Sequence, residues 1–198
     1  MSLKVLRVDG SMRTKDNSRS RRLSEILINS LQQKHSELSV KTRDLTTGVP
    51  FVHEQWINAN FTEPSARNTE QRSVLSQSDA FMNELVEADI LVLGTPIYNF
   101  GVPAAVKAWI DMVVRANETF HYSSEGPEGL LKNKKAFAIV VSGGTSIDSD
   151  IDFATPYLRH ILSFVGITDL TVIGSSLAGL DEEIAHQNAL DSIRSAVI

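Results

Sequence analysis

No cysteine occurs among the 198 residues, so disulfide frameworks, thiolate metal sites and cysteine nucleophiles are all excluded, and the chain fits a reducing compartment. No apolar run approaches the roughly 20 residues of a membrane-spanning helix, and the N-terminal stretch is interrupted by Lys4, Arg7 and Asp9 where a signal peptide would keep an apolar core. These features predict a cytoplasmic protein with no membrane partner. Basic residues are in deficit, 19 Lys and Arg against 24 Asp and Glu, which argues against nucleic acid as a partner. The five histidines, His35, His53, His121, His160 and His186, show no ligand spacing such as HExxH, so no metal is expected. There is no GxSxG elbow, Walker A sequence, GxGxxG fingerprint, internal repeat or low-complexity segment. No acid–base pair stands out, which favours a borrowed cofactor as the carrier of any chemistry.

Alternating short apolar runs and amphipathic stretches fill the chain. Leu3–Val8, Leu38–Thr42, 89–94, 136–141 and Leu170–Ile173 are the expected strands; those at 89–94 and 136–141 are almost uninterruptedly apolar, as in strands buried on both faces of a parallel sheet. Helical spacing links Leu23, Ile26, Leu27 and Leu31, then Val74, Phe81 and Leu85, then Val106, Trp109, Ile110 and Val113 behind Pro103. It recurs in Leu158, Ile161, Leu162 and Val165 before Gly166, and from Ile184 to Val197 after Asp181. Residues 46–66 read as irregular. Five strands and five helices in alternation predict one α/β domain over 1–198. Its expected fold is a doubly wound, flavodoxin-like five-stranded parallel sheet of order 2-1-3-4-5, helices on both faces. Ligands of such sheets bind beyond the carboxyl ends of the strands at the switch point, which directs attention to three loops.

After the first strand, residues 10–22 combine Ser11, Ser18 and Ser20 with five basic side chains, among them Arg19, just ahead of a helix. Hydroxyls and a helix N-terminus suit a phosphate monoester held by Ser11, Ser18, Arg19 and Ser20; the competing reading is a simple helix cap with solvated arginines. The loop after the third strand, Pro96-Ile97-Tyr98-Asn99-Phe100, suits a planar ligand, unless its aromatics merely cover the sheet end. Ser142-Gly143-Gly144-Thr145 follows the fourth strand and could offer backbone N–H groups, or be only a turn. A longer aromatic segment, 118–130, places Phe120 and Tyr122 where they could wall a substrate pocket or a subunit interface, or pack on each other in a local hairpin.

The run from Pro96 to Asp111, followed by Arg115-Ala116-Asn117-Glu118-Thr119-Phe120 and Gly126-Pro127-Glu128-Gly129-Leu130, resembles the FMN-dependent NADH azoreductases, relatives of the quinone reductases. The resemblance continues through Lys134-Lys135, Ser142-Gly143-Gly144, Thr155-Pro156-Tyr157-Leu158 and 164–169, and so spans nearly the whole chain. It implies a flavodoxin-like homodimer with FMN at the subunit interface, reduced by NADH or NADPH and reoxidised by quinones or azo compounds in a ping-pong hydride cycle at the flavin N5. No side chain is then assigned a catalytic role. Under the resemblance Ser11, Ser18, Arg19 and Ser20 fall at the FMN phosphate, Pro96, Ile97, Tyr98, Asn99 and Phe100 along the isoalloxazine, and Ser142, Gly143, Gly144 and Thr145 at its pyrimidine edge. Phe100, Phe120 and Tyr122 fall on the substrate side. An FMN reductase that releases its flavin, or a flavodoxin-type electron carrier, are the alternatives.

Overall fold

A computed structural model describes residues 2–197. Strand β1 (Leu3–Asp9) leads through a turn of 3-10 helix to helix α1 (Arg19–Lys34), and β2 (Leu38–Asp44) follows. Helices α2 (Glu54–Phe61) and α3 (Thr69–Glu87) precede β3 (Ile90–Pro96) and α4 (Ala104–Val113). A short hairpin of β4 (Phe120–Ser123) and β5 (Gly126–Gly129) comes before β6 (Lys135–Ser142), α5 (Ala154–Phe164), β7 (Asp169–Ser176) and α6 (Glu182–Val197). The main sheet has the order β2-β1-β3-β6-β7, and its four strand pairs are all parallel. This is the expected 2-1-3-4-5 order, with the hairpin inserted as a separate two-stranded sheet.

Alternation along β1 divides the interior in two. Leu6 and Val8 join a core with Trp109, Leu75 and Leu158 from α4, α3 and α5, whereas Val5 joins a second core with Leu27 of α1 and Ile193 of α6. Strands β3 and β6 contribute to both, which is why their sequences are apolar at consecutive positions. Helix α5 ends as its sequence predicts: Gly166 adopts φ +99°, its N–H donates to the Ser163 carbonyl at 2.9 Å, and the Ile167 N–H donates to Leu162 at 2.9 Å.

One expectation needs correction, and one open alternative is resolved. The segment 46–66 contains α2, an eight-residue helix whose N-cap His53 accepts from the Trp56 N–H. Only Trp56 and Ala59 of α2 are buried, so the helical repeat that marks longer helices is missing from its sequence. The segment 118–130 is the β4–β5 hairpin, in which Phe120 and Tyr122 meet edge to face with ring centroids 5.6 Å apart. Its last residue, Gly129, abuts the end of α5: a Cβ there would lie 2.1 Å from the Gly166 nitrogen.

Candidate active site

The carboxyl ends of β1, β3 and β6 open into a cleft of about 550 Å³. Two glycines let the elements close on it. Gly10 donates its N–H to the Gly94 carbonyl at 2.7 Å, and a Cβ on Gly10 would lie 2.4 Å from the Val106 side chain; at Gly94 a Cβ would lie 2.4 Å from the Ser24 hydroxyl. Larger residues at either position would push the first loop away from α4 or α1 away from the sheet.

The first wall of the cleft is the N-terminus of α1. Ser18 is its N-cap, the hydroxyl accepting from the Arg21 N–H, and Ser18 and Ser20 pair through their hydroxyls at 3.2 Å. No acidic residue lies in the first turn, so the helix dipole and its free N–H groups face the cleft uncompensated. Ser11, Ser18 and Ser20 line the cleft while being nearly buried, which holds their hydroxyls in fixed directions.

Behind this wall runs an ionic network whose arginines are buried and whose outer carboxylates, Glu25 and Asp44, reach solvent. Arg21 makes two 2.7 Å bonds to the Asp44 carboxylate and donates to the Ser11 carbonyl at 2.8 Å, while Arg7 bridges Asp9 and Glu25 and donates to the Arg21 carbonyl. The Arg21 bond holds the Asp44 carboxyl far below the usual carboxylate range, helped by hydrogen bonds from Thr46 and opposed by burial.

Pro96, Ile97 and Tyr98 form the second wall, with the Ile97 N–H bonded to the Val141 carbonyl at 2.8 Å. Beyond it the chain turns sharply. Tyr98 and Gly101 exchange backbone hydrogen bonds of 3.0 and 3.1 Å around Asn99 and Phe100, whose φ angles are +49° and +69°. Asparagine tolerates that region; phenylalanine does so at a cost, and the bend is held by a 2.9 Å bond from the Phe153 N–H to the Phe100 carbonyl. Ser142 and Gly143 form the third wall.

The structure therefore brings Ser11, Ser18, Arg19, Ser20, Pro96, Ile97, Tyr98, Ser142 and Gly143 together in one cleft. Asn99 and Phe100 stand at the exposed tip of the turn, and Gly144 and Thr145 lie outside the lining. The N–H groups of Gly144 and Thr145 are not free for a ligand; they donate to the Ser142 hydroxyl at 3.3 and 2.8 Å. Phe120 also departs from expectation. It is buried against Phe164, with centroids 4.7 Å apart, so its ring supports the hairpin and only Phe100 and Tyr122 of the substrate-side aromatics are open. The guanidinium of Arg19 donates through Nη2 to two strand carbonyls, Ser142 at 3.0 Å and Ser175 at 2.9 Å.

Leu177 and Glu182, at the end of β7 and the start of α6, line the cleft as well, though no motif marks them. Their only signal is position, since β7 is the neighbour of β6. Arg13, Asp16 and Asn17 of the first loop, Arg22 of α1 and Val141 of β6 complete the lining. Among the described residues no group of three or more His, Asp or Glu is placed to hold a metal ion, and no helix is long and apolar enough to cross a membrane.

The sheet order, with a serine-rich helix N-terminus at the switch point, defines a flavodoxin-like protein, and the family model described as a flavodoxin-like fold matches residues 3–197. The chain belongs, within that fold, to the family of FMN-dependent NADH:quinone oxidoreductases. It is 49% identical over 191 residues to the protein of that name from Thiobacillus denitrificans, covering 96% of this chain and 93% of the relative. A second such protein, FMN-dependent NADH:quinone oxidoreductase 1 from Colwellia psychrerythraea, is 51% identical over 187 residues, covering 93% of this chain and 96% of the relative. Among solved structures, an azoreductase from Bacillus anthracis superposes with a TM-score of 0.86 at 27% identity, over 98% of this chain and 97% of that one.

Proposed function

We propose that this protein is an FMN-dependent oxidoreductase that passes electrons from NADH or NADPH to quinones and azo compounds. One observation carries the reading: a nearly buried hydroxyl set on a helix N-terminus without first-turn acids faces a cleft whose opposite walls are a proline-bounded aromatic loop and an open glycine. That donor set fits FMN. Three hydroxyls and the first-turn N–H groups suit a phosphate monoester, and a Cβ at Gly143 would meet no protein atom within 4 Å, leaving room for a flat ring. FMN bound here would supply the two-electron carrier, accepting hydride from the nicotinamide and delivering electrons to the acceptor in a ping-pong alternation.

The chain's own residues bind and orient. Ser11, Ser18 and Ser20, with the backbone N–H groups of Arg19 and Ser20, hold the phosphate; Pro96, Ile97, Tyr98, Asn99 and Phe100 lie along the ring, and the Ser142–Thr145 segment borders its polar edge. The Ser142 hydroxyl keeps that segment folded by accepting from two of its N–H groups. Phe100 and Tyr122 supply an apolar wall for nicotinamide and acceptor in turn, and water supplies the protons. All of 1–198 serves as one doubly wound domain, as two cores on opposite faces of a single sheet suggest. Exposed Phe100, Tyr122 and Phe153, at 51%, 73% and 64% exposure, support a homodimer that covers them beside the cleft. A cytoplasmic location agrees with the cysteine-free composition.

The test loads purified protein with FMN, removes free flavin by gel filtration and follows the visible flavin band anaerobically. The expected result is retained flavin that bleaches with NADH and recovers with a quinone, on a particle eluting as a dimer. Flavin that stays bound but does not bleach indicates an electron carrier, flavin released on reduction indicates an FMN reductase, and no retained flavin removes the site.

A further inference from the structure

Arg19 opens α1 between two cleft-lining serines, where its charge would ordinarily be counted toward an anion. Its geometry says otherwise. A single nitrogen, Nη2, donates to the Ser142 carbonyl at 3.0 Å and to the Ser175 carbonyl at 2.9 Å, residues 123 and 156 positions away in the chain. The Ser142 carbonyl also accepts from the Leu177 N–H at 3.1 Å, so this one oxygen joins the end of β6, the segment after β7 and the start of α1. Two positions later, Arg21 does the same on the other side, tying α1 to the Ser11 carbonyl and to Asp44 at the end of β2. The arginines thus pin the helix N-terminus to the carboxyl ends of β2, β6 and β7 and to the loop after β1, while Gly94 of β3 fits beneath Ser20 and Ser24.

We infer that Arg19 is a positioning residue: through the Ser142 carbonyl it holds the start of the Ser142-Gly143-Gly144-Thr145 segment in the place where it borders the flavin ring. The inference rests on the flavin reading of the cleft and adds to it a division of labour. Phosphate recognition belongs to the hydroxyls and backbone N–H groups, and Arg19 acts on the ring end of the ligand, which its side chain does not need to touch. Burial lowers the Arg19 pKa, with Glu182 opposing and Arg22 adding to the effect, as for a cation placed under the rim and satisfied by carbonyl dipoles. Both bonds leave the one nitrogen Nη2, whose two hydrogens are held in the guanidinium plane and so point in fixed directions, whereas lysine's nitrogen turns freely on a flexible stem.

FMN and riboflavin, which lacks the phosphate, separate the two roles. Binding of each to the apoprotein is measured by flavin fluorescence for the native chain, Arg19→Met and Arg19→Lys, with circular dichroism confirming that each variant is folded. The expected result for Arg19→Met is a loss on the order of tenfold for both ligands alike, with a shifted visible spectrum of the bound flavin because the ring's polar surroundings move. Arg19→Lys should recover less than half of that loss for either ligand. Loss of FMN affinity with riboflavin unchanged, or recovery of FMN alone by lysine, would make Arg19 a phosphate ligand and overturn the inference, as would unchanged binding of both. Binding of neither flavin by the native chain would show instead that the cleft is not a flavin site, and the inference would fall with that reading.

Discussion

Ser20 carries the sharpest expectation at the scale of a single residue. Its hydroxyl lies 3.2 Å from that of Ser18, at the mouth of the α1 dipole, yet it does not cap the helix; Ser18 does. Ser20→Ala should therefore lower FMN affinity by about tenfold, leave riboflavin affinity unchanged and move the melting temperature little, all readable in one fluorescence titration and one thermal scan. Phe100 makes the opposite trade. Held at φ +69°, it strains the backbone by about 1 kcal/mol to present an exposed ring at the rim. Phe100→Gly should raise the melting temperature by roughly 2–4 °C while raising KM for a quinone, and a melting temperature that falls would show that the ring's packing outweighs the strain.

Packing between elements decides where the β4–β5 hairpin stands. Gly129 and Gly166 meet with almost no space between them, and the Leu131 N–H donates to the Val165 carbonyl at 2.8 Å, so β5 is fixed to the end of α5. An added methyl in Gly129→Ala would overlap the Gly166 backbone and should cost about 2 kcal/mol in a urea titration, with KM for the acceptor rising as Tyr122 shifts.

The elements differ in how plainly their sequences announce them. β3 and β6 are legible because burial on two faces demands apolar residues at every position, and α5 because Gly166 must supply a positive φ at its end. α2 is not, since an eight-residue helix touching the core through Trp56 and Ala59 leaves too few buried positions to show a period. Within the site, position on the fold reveals the loops and their serines. The direction of the Arg19 side chain is hidden, because its acceptors are backbone carbonyls, which every residue has.

Over the whole molecule, the ionic network beneath the cleft makes stability depend on pH at the acid end. Asp44 is held ionised by Arg21, its folded-state pKa below the unfolded value of about 3.9, so folding favours the deprotonated form. Its contribution is complete above that unfolded value and is lost as pH falls toward the folded one. Asp44→Asn should thus be less stable than the native chain at pH 7, and the gap between their urea midpoints should narrow steadily below pH 4. A gap that stays constant to pH 2 would assign the effect to lost packing.

The thin attachment of α2 has a dynamic consequence. The helix buries two side chains, Trp56 and Ala59, packs along α3 and is further moored by arginines: Arg67 donates to the Ala59, Asn60 and Thr62 carbonyls, and Arg115 bonds the Asn60 side chain. Such an element opens without unfolding the sheet, so in deuterated solvent its amides should exchange by local opening, while those of β3 and β6 exchange only with global unfolding. Because exposed Ile57 and Phe61 also lie on α2, the helix presents an adhesive apolar surface whenever it loosens, a foothold for proteolysis or self-association that involves none of the cleft-lining residues.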